Sequence, residues 1–280
     1  MHPLVSAEEV ARHLDDPNWV LFDCRHDLMA PAAGEVAYRE GHLPGARFAS
    51  LDRDLSGPTN GRNGRHPLPA RADVATFLAS AGVRHDSVIV GYDASNGLYA
   101  SRLWWLARWI GHANVAVLDG GLAAWSSRGL PVTAAVPTPS PGDVAVGASL
   151  VTLVETPDVA ANLQTAARLV VDARAPERFR GDVEPLDPVA GHIPGAVNHP
   201  MARSLTPDGR FRDAATLRAE FDALLAGRSP DTVVQSCGSG VTACHNLLAM
   251  EVAGLPGAAL YAGSWSAWCA DATRPVARGA

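Results

Sequence analysis

Apolar and polar positions along this chain follow two patterns in turn, and the sequence of patterns occurs twice. Short apolar runs, Val88-Ile89-Val90 and Thr232-Val233-Val234, predict buried strands, because a strand covered on both faces has no polar face to show. Each is followed by helical periodicity, from Ser101 to Ile110 in the first case and from Thr242 to Ala253 in the second. This order implies α/β folding, a mostly parallel sheet flanked by helices on both faces. In such sheets ligands collect at the carboxyl ends of strands, so chemistry is expected just after Val90 and Val234.

The pattern recurs because the sequence does. Gly41-His42-Leu43-Pro44-Gly45-Ala46 returns 150 positions later as Gly191-His192-Ile193-Pro194-Gly195-Ala196. Leu21-Phe22-Asp23-Cys24-Arg25 returns as Val170-Val171-Asp172-Ala173-Arg174, and Gly121-Leu122-Ala123-Ala124-Trp125 as Ser264-Trp265-Ser266-Ala267-Trp268. A repeat this long means two complete globules, since solenoid repeats run to about 20 to 50 residues. Proline- and glycine-rich Pro131 to Gly142 lies between the copies and predicts an extended, semi-rigid connection. The expected organisation is a first domain at 1–130, a linker at 131–143 and a second domain at 144–280.

Composition narrows the function. The chain is 47% hydrophobic, enough for ordinary cores, and its net charge of −6 comes without the basic block that a nucleic acid backbone attracts. Four cysteines without a Cys-x-x-Cys pair suit neither a disulfide scaffold nor a zinc module. Neither an export signal nor an apolar stretch of about 18 residues is visible, so a cytoplasmic protein with no membrane partner is expected.

The copies diverge after the strands. The first has Gly91-Tyr92-Asp93-Ala94-Ser95-Asn96-Gly97, the second Ser236-Cys237-Gly238-Ser239-Gly240-Val241-Thr242, so that Asp93 stands where Cys237 does. A thiol at a strand end, followed by glycines and a helix start, sits in a loop whose amides can face an anion, a setting that favours thiolate. Cys237 is therefore the candidate nucleophile. Cys24 aligns with Ala173, and Cys269 follows Trp268 near the C-terminus, so both read as buried thiols. Cys244, two turns beyond Cys237, reads the same way, with a secondary redox role as a minor alternative. His42 and His192 occur in both copies although only one has the thiol, which marks them as structural turn residues. Trp104, Trp105 and Trp109 fall at helical spacing and read as packing.

The loop Cys237 to Ala243, the doubled Gly-His-x-Pro-Gly-Ala segment and Gly263-Ser264-Trp265 resemble the tandem-domain rhodanese family of sulfurtransferases, in particular its 3-mercaptopyruvate branch. The resemblance covers nearly the whole chain. It implies two rhodanese-like domains, the first without a catalytic cysteine, and a persulfide carried by Cys237. Sulfur would pass from 3-mercaptopyruvate or thiosulfate to thioredoxin, a low-molecular-weight thiol or cyanide, without a cofactor. Gly238, Gly240, Val241, Thr242 and Ala243 would bind the substrate through the loop. The family's Ser/His/Asp set matches Ser239, His66 and Asp52, which would put the site at a domain interface. Of its two substrate-binding arginines, Arg178 matches one; Asp182 to Ala190 offers no second, which leaves either Arg180 or Arg102 to compensate or a different sulfur donor to be used. Taken without the family, Arg178 also reads as an ion-pair partner of Glu177 or Glu184, His66 as a turn residue beside Pro67, and Asp52 as a surface or capping residue.

Two rival functions remain. A cysteine phosphatase also holds a thiolate in an anion-binding loop, but it requires an arginine six residues on, where this chain has Ala243. A non-catalytic sulfur carrier or interaction module is the alternative outside enzymes.

Overall fold

The structure, a computed structural model, describes residues 1–279. The chain forms two compact units: among the described residues, 1–57, 69–150 and 207–210 make the first, and 58–68, 151–206 and 211–279 the second. Each is built on a five-stranded, wholly parallel sheet flanked by helices. In the first unit β1 (Leu4–Val5), β2 (Trp19–Asp23), β3 (Arg47–Phe48), β4 (Val88–Tyr92) and β5 (Val115–Leu118) lie in the order β1-β5-β4-β2-β3. In the second, β6 (Thr152–Val154), β7 (Leu169–Asp172), β8 (Val197–Asn198), β9 (Val233–Ser236) and β10 (Ala259–Tyr261) lie in the order β6-β10-β9-β7-β8. No helix is long and apolar enough to cross a membrane among the described residues.

The order fixes where a site can form. From β7 the chain moves outward to β8, whereas from β9 it moves the opposite way to β10, so a crevice opens beyond the carboxyl ends of β7 and β9. Register places Asp172 beside Ser236, the residue before Cys237. The core repeats with the sequence: Leu21, Leu43, Val90 and Trp125 pack in the first unit, Val170, Ile193, Val234 and Trp268 in the second. Trp125 and Trp268 are wholly buried, and truncating either to alanine would cost about 3–5 kcal/mol.

The two repeated motifs are joined to each other within each unit. Arg25 forms an ion pair with Asp23 (2.6 Å) and donates to the Gly41 carbonyl (2.6 Å). Arg174 pairs with Asp172 (2.8 Å) and donates to the Gly191 carbonyl (2.7 Å). The adjacent histidines serve structure in matching ways: His42 stacks on Tyr38 and hydrogen-bonds its carbonyl, and His192 does the same with Phe179. Each also bridges antiparallel to a later segment, His42 to Thr133 and His192 to Ala277. Residues 131–143, the expected linker, fall within the first unit, where Gly142 and, just beyond it, Val144 donate to the carbonyls of Ala79 and Val83.

Candidate active site

Cys237 follows the central strand β9 and precedes the helix Thr242–Val252. Between them the chain turns at Gly240, whose φ is +78° and where a Cβ would stand 2.3 Å from the Ala262 carbonyl oxygen, so only glycine fits. This turn aims the Gly240 N–H at Cys237 Sγ, 3.1 Å away. A second segment holds the loop from behind. The Cys237 N–H donates to Ser264 Oγ (3.1 Å), and the carbonyls of Cys237 and Gly238 accept from the amides of Trp265 (3.0 Å) and Ser266 (2.9 Å). Val241 occupies the N-cap position without a side-chain cap; the first turn closes with the Cys244 N–H on the Val241 carbonyl (3.0 Å), and the N–H groups of Thr242 and Ala243 ahead of it lie at the positive end of the helix. Cys237 is buried, at 1% exposure, but its sulfur faces polar hydrogen, not hydrocarbon alone.

The first unit shows what this loop geometry can hold. Asp93, at the same point after β4, is fully buried, and its carboxylate accepts four backbone N–H groups: Ser95 (2.8 Å), Gly97 (2.9 Å), Tyr99 (2.8 Å) and Ala100 (2.9 Å). Burial nevertheless lifts its pKa above the ordinary value, against the opposing pull of those amides. A strand-loop-helix turn of this type therefore converges its amides on an anionic group, and in the second unit the residue carrying that group is a cysteine.

Around Cys237 the second unit assembles charged and proton-carrying groups. His66 Nδ1 and Ser239 Oγ share a hydrogen bond of 2.7 Å, both residues buried. The neighbouring Arg65 is anchored through its backbone N–H on Ser266 Oγ (3.1 Å) and through its guanidinium on Asp187. Asp187 also faces Arg178 (3.4 Å), which pairs with Glu184 at 2.6 Å; Glu184 reaches Arg174 at 3.3 Å. Burial raises the Asp187 pKa despite Arg65, whereas for Glu184 burial is outweighed by Arg178 and the Leu186 and Asp187 amides, and its pKa falls. Burial works against the Arg174 charge too, but Asp172 and Glu184 overcome it, Cys237 adds a smaller contribution, and its pKa rises.

Of the expected site residues, Cys237, Gly238, Ser239, Gly240, Val241, Thr242, Ala243, His66 and Arg178 all lie in the second unit. Asp52 lies in the first unit, exposed in a turn, where its carboxylate opposes the lowering of the His26 pKa by burial. Arg102 lies in the interior of the first unit, fully buried, with Nε donating to the Leu55 carbonyl (3.2 Å), and Arg180 is half-exposed and paired with Asp182 (2.7 Å). The second guanidinium beside Gly238 is that of Arg65. Arg65 and Asp187 were not anticipated from the sequence. Arg174 was visible there only as part of a repeated motif.

Comparison with known proteins agrees with this geometry. The model of the rhodanese-like domain matches residues 6–128 and again 155–271. The chain is 48% identical over 278 residues to a Pseudomonas aeruginosa protein named as a probable 3-mercaptopyruvate sulfurtransferase, covering 99% of this chain and 98% of that one. It is 43% identical over 287 residues to a Mycobacterium tuberculosis protein provisionally named thiosulfate sulfurtransferase SseB, covering 99% and 97%. The crystal structure of the 3-mercaptopyruvate sulfurtransferase SseA from Escherichia coli superposes with a TM-score of 0.81 at 32% identity, covering 95% of this chain and 99% of that one. The chain belongs to the rhodanese family and is a tandem-domain sulfurtransferase working through persulfide chemistry.

Proposed function

We propose that the protein takes sulfur from 3-mercaptopyruvate, holds it as a persulfide on Cys237, passes it to a thiol or cyanide, and releases pyruvate. The observation that carries this reading is the surrounding of Cys237: a Gly240 amide on its sulfur, a His66–Ser239 pair, and the guanidiniums of Arg178 and Arg65 beside Gly238. That set suits a donor with a carboxylate at one end and an ionisable thiol at the other. In the first half-reaction the Cys237 thiolate attacks the donor sulfur. A new S–S bond forms, the C–S bond breaks with its electron pair going to carbon, and the resulting enolate takes the proton that the donor thiol gave up, through His66 and Ser239. The products are Cys237-S-S⁻ and pyruvate. The loop amides stabilise the new anion as those of the first unit do the Asp93 carboxylate. In the second half-reaction an acceptor thiolate, from thioredoxin or a low-molecular-weight thiol, or cyanide takes the outer sulfur.

Thiosulfate as donor is the second reading, favoured by the name of the Mycobacterium tuberculosis relative and by the two guanidiniums, which also attract a dianion. The test is kcat/KM for both donors measured side by side with pyruvate release. A ratio in favour of 3-mercaptopyruvate supports the first reading; a ratio in favour of thiosulfate replaces it.

A further inference from the structure

We propose that Arg65 is a specificity-determining residue, a second carboxylate anchor that works with Arg178; this rests on the reading of the donor as an α-keto acid. A Cβ built on Gly238, the residue after the nucleophile, would stand 2.8 Å from Arg65 Nη2 and 3.5 Å from Arg178 Nη1. Two guanidiniums from separate segments thus converge on one small surface beside Cys237, and Gly238 is the residue that leaves them room.

Both side chains are held in place before any ligand arrives. Asp187, 3% exposed at its side chain, takes Arg65 on one carboxylate oxygen and faces Arg178 Nη2 with the other, and Glu184 holds that same Nη2 at 2.6 Å. Arg65 Nη1 is committed to Asp187 while Nη2 is turned to Gly238. The two arginines retain 28% and 19% side-chain exposure, so an incoming anion can reach them. Three arginines and three carboxylates, counting Arg174 and Asp172, make the cluster neutral, so it binds a carboxylate by directed N–H groups more than by excess charge. The segment 182–190 has no arginine for this task; it has Asp187, which positions one from residues 58–68.

The experiment compares wild type, Arg65→Met and Arg65→Lys. With 3-mercaptopyruvate, Arg65→Met is expected to raise KM by about 10- to 100-fold, the loss of one charged hydrogen-bond pair, with a much smaller change in kcat. Arg65→Lys keeps the charge without the fork and should raise KM less. With 1-mercaptopropan-2-one, which has the thiol and ketone but no carboxylate, wild type and Arg65→Met should have equal kcat/KM, an equality that a general loosening of the loop would destroy. Pyruvate binding to Cys237→Ser protein, with and without Arg65→Met, tests the anchor independently of turnover. If wild type makes no pyruvate but pyruvate binding still weakens on Arg65→Met, the donor reading fails and the anchor stands. Unchanged KM and unchanged pyruvate binding on Arg65→Met overturn the anchor.

Discussion

His66 Nδ1 stands 2.7 Å from the Oγ of Ser239, the second residue after Cys237, and both groups are buried. A histidine held to a hydroxyl in this way moves protons readily, and 3-mercaptopyruvate has a thiol proton to move, whereas the sulfane sulfur of thiosulfate has none. His66→Ala should therefore lower kcat with 3-mercaptopyruvate by about 10²- to 10⁴-fold and with thiosulfate by much less. Steady-state kinetics with both donors checks it, and equal losses would remove His66 from the proton path.

Gly240→Ala tests the loop itself. The residue has φ +78° and its new methyl would meet the Ala262 carbonyl oxygen, so the backbone must shift and withdraw the N–H from Cys237 Sγ. The expected result is a fall in kcat/KM of about 100-fold or more, with about 2 kcal/mol lost in stability. Turnover and urea unfolding are measured on one preparation; activity close to wild type would mean that the Gly240 amide does not serve the sulfur.

Asp93→Asn tests the corresponding loop of the first unit. The amide turns one acceptor oxygen into a donor facing N–H groups, leaving at least one buried pair of donors unmatched. With about 1–3 kcal/mol per orphaned group, a loss of about 2–5 kcal/mol is expected by urea denaturation. An unchanged midpoint would show that those hydrogen bonds contribute little.

A pH dependence follows from His199, which is 1% exposed, packs its ring at a tilt against Phe221, and has a pKa lowered by burial to about 4 from 6.5. The unfolded chain binds a proton at this site below about pH 6.5, but the folded chain resists it until about pH 4. The contribution to stability is therefore complete above pH 6.5 and lost as pH falls toward 4, at most about 3 kcal/mol. Urea midpoints of wild type and His199→Gln across this range should converge as the pH drops; parallel curves would assign the acid loss to other groups.

Much of the fold was legible in the sequence because the duplication displayed it twice. Strands β4 and β9 are buried parallel strands, whose side chains must be apolar on both faces, and the helices after them carry their own periodicity. His42 and His192 were legible as structural through the same comparison. The arginine pair was not. Arg65 lies in Gly61-Arg62-Asn63-Gly64-Arg65, which reads locally as a solvated turn, and its partner Asp187 is 122 positions away. Residues 182–190 hold no arginine; their carboxylate Asp187 brings one in from a distant segment, and that pairing leaves no local mark in the sequence. The Asp93 cradle was visible only as a missing thiol, since hydrogen bonds from four amides leave no mark on residue type.

The most direct test is mass analysis of the sulfur carrier. The protein is incubated with 3-mercaptopyruvate in the absence of acceptor, digested under non-reducing conditions, and its cysteine peptides weighed while pyruvate is assayed. The expected result is the mass of one added sulfur atom on the peptide containing Cys237, matched by one pyruvate per chain and abolished in Cys237→Ser. Added sulfur located by peptide fragmentation on Cys24, Cys244 or Cys269 instead of Cys237, or pyruvate formed undiminished by Cys237→Ser, would contradict it.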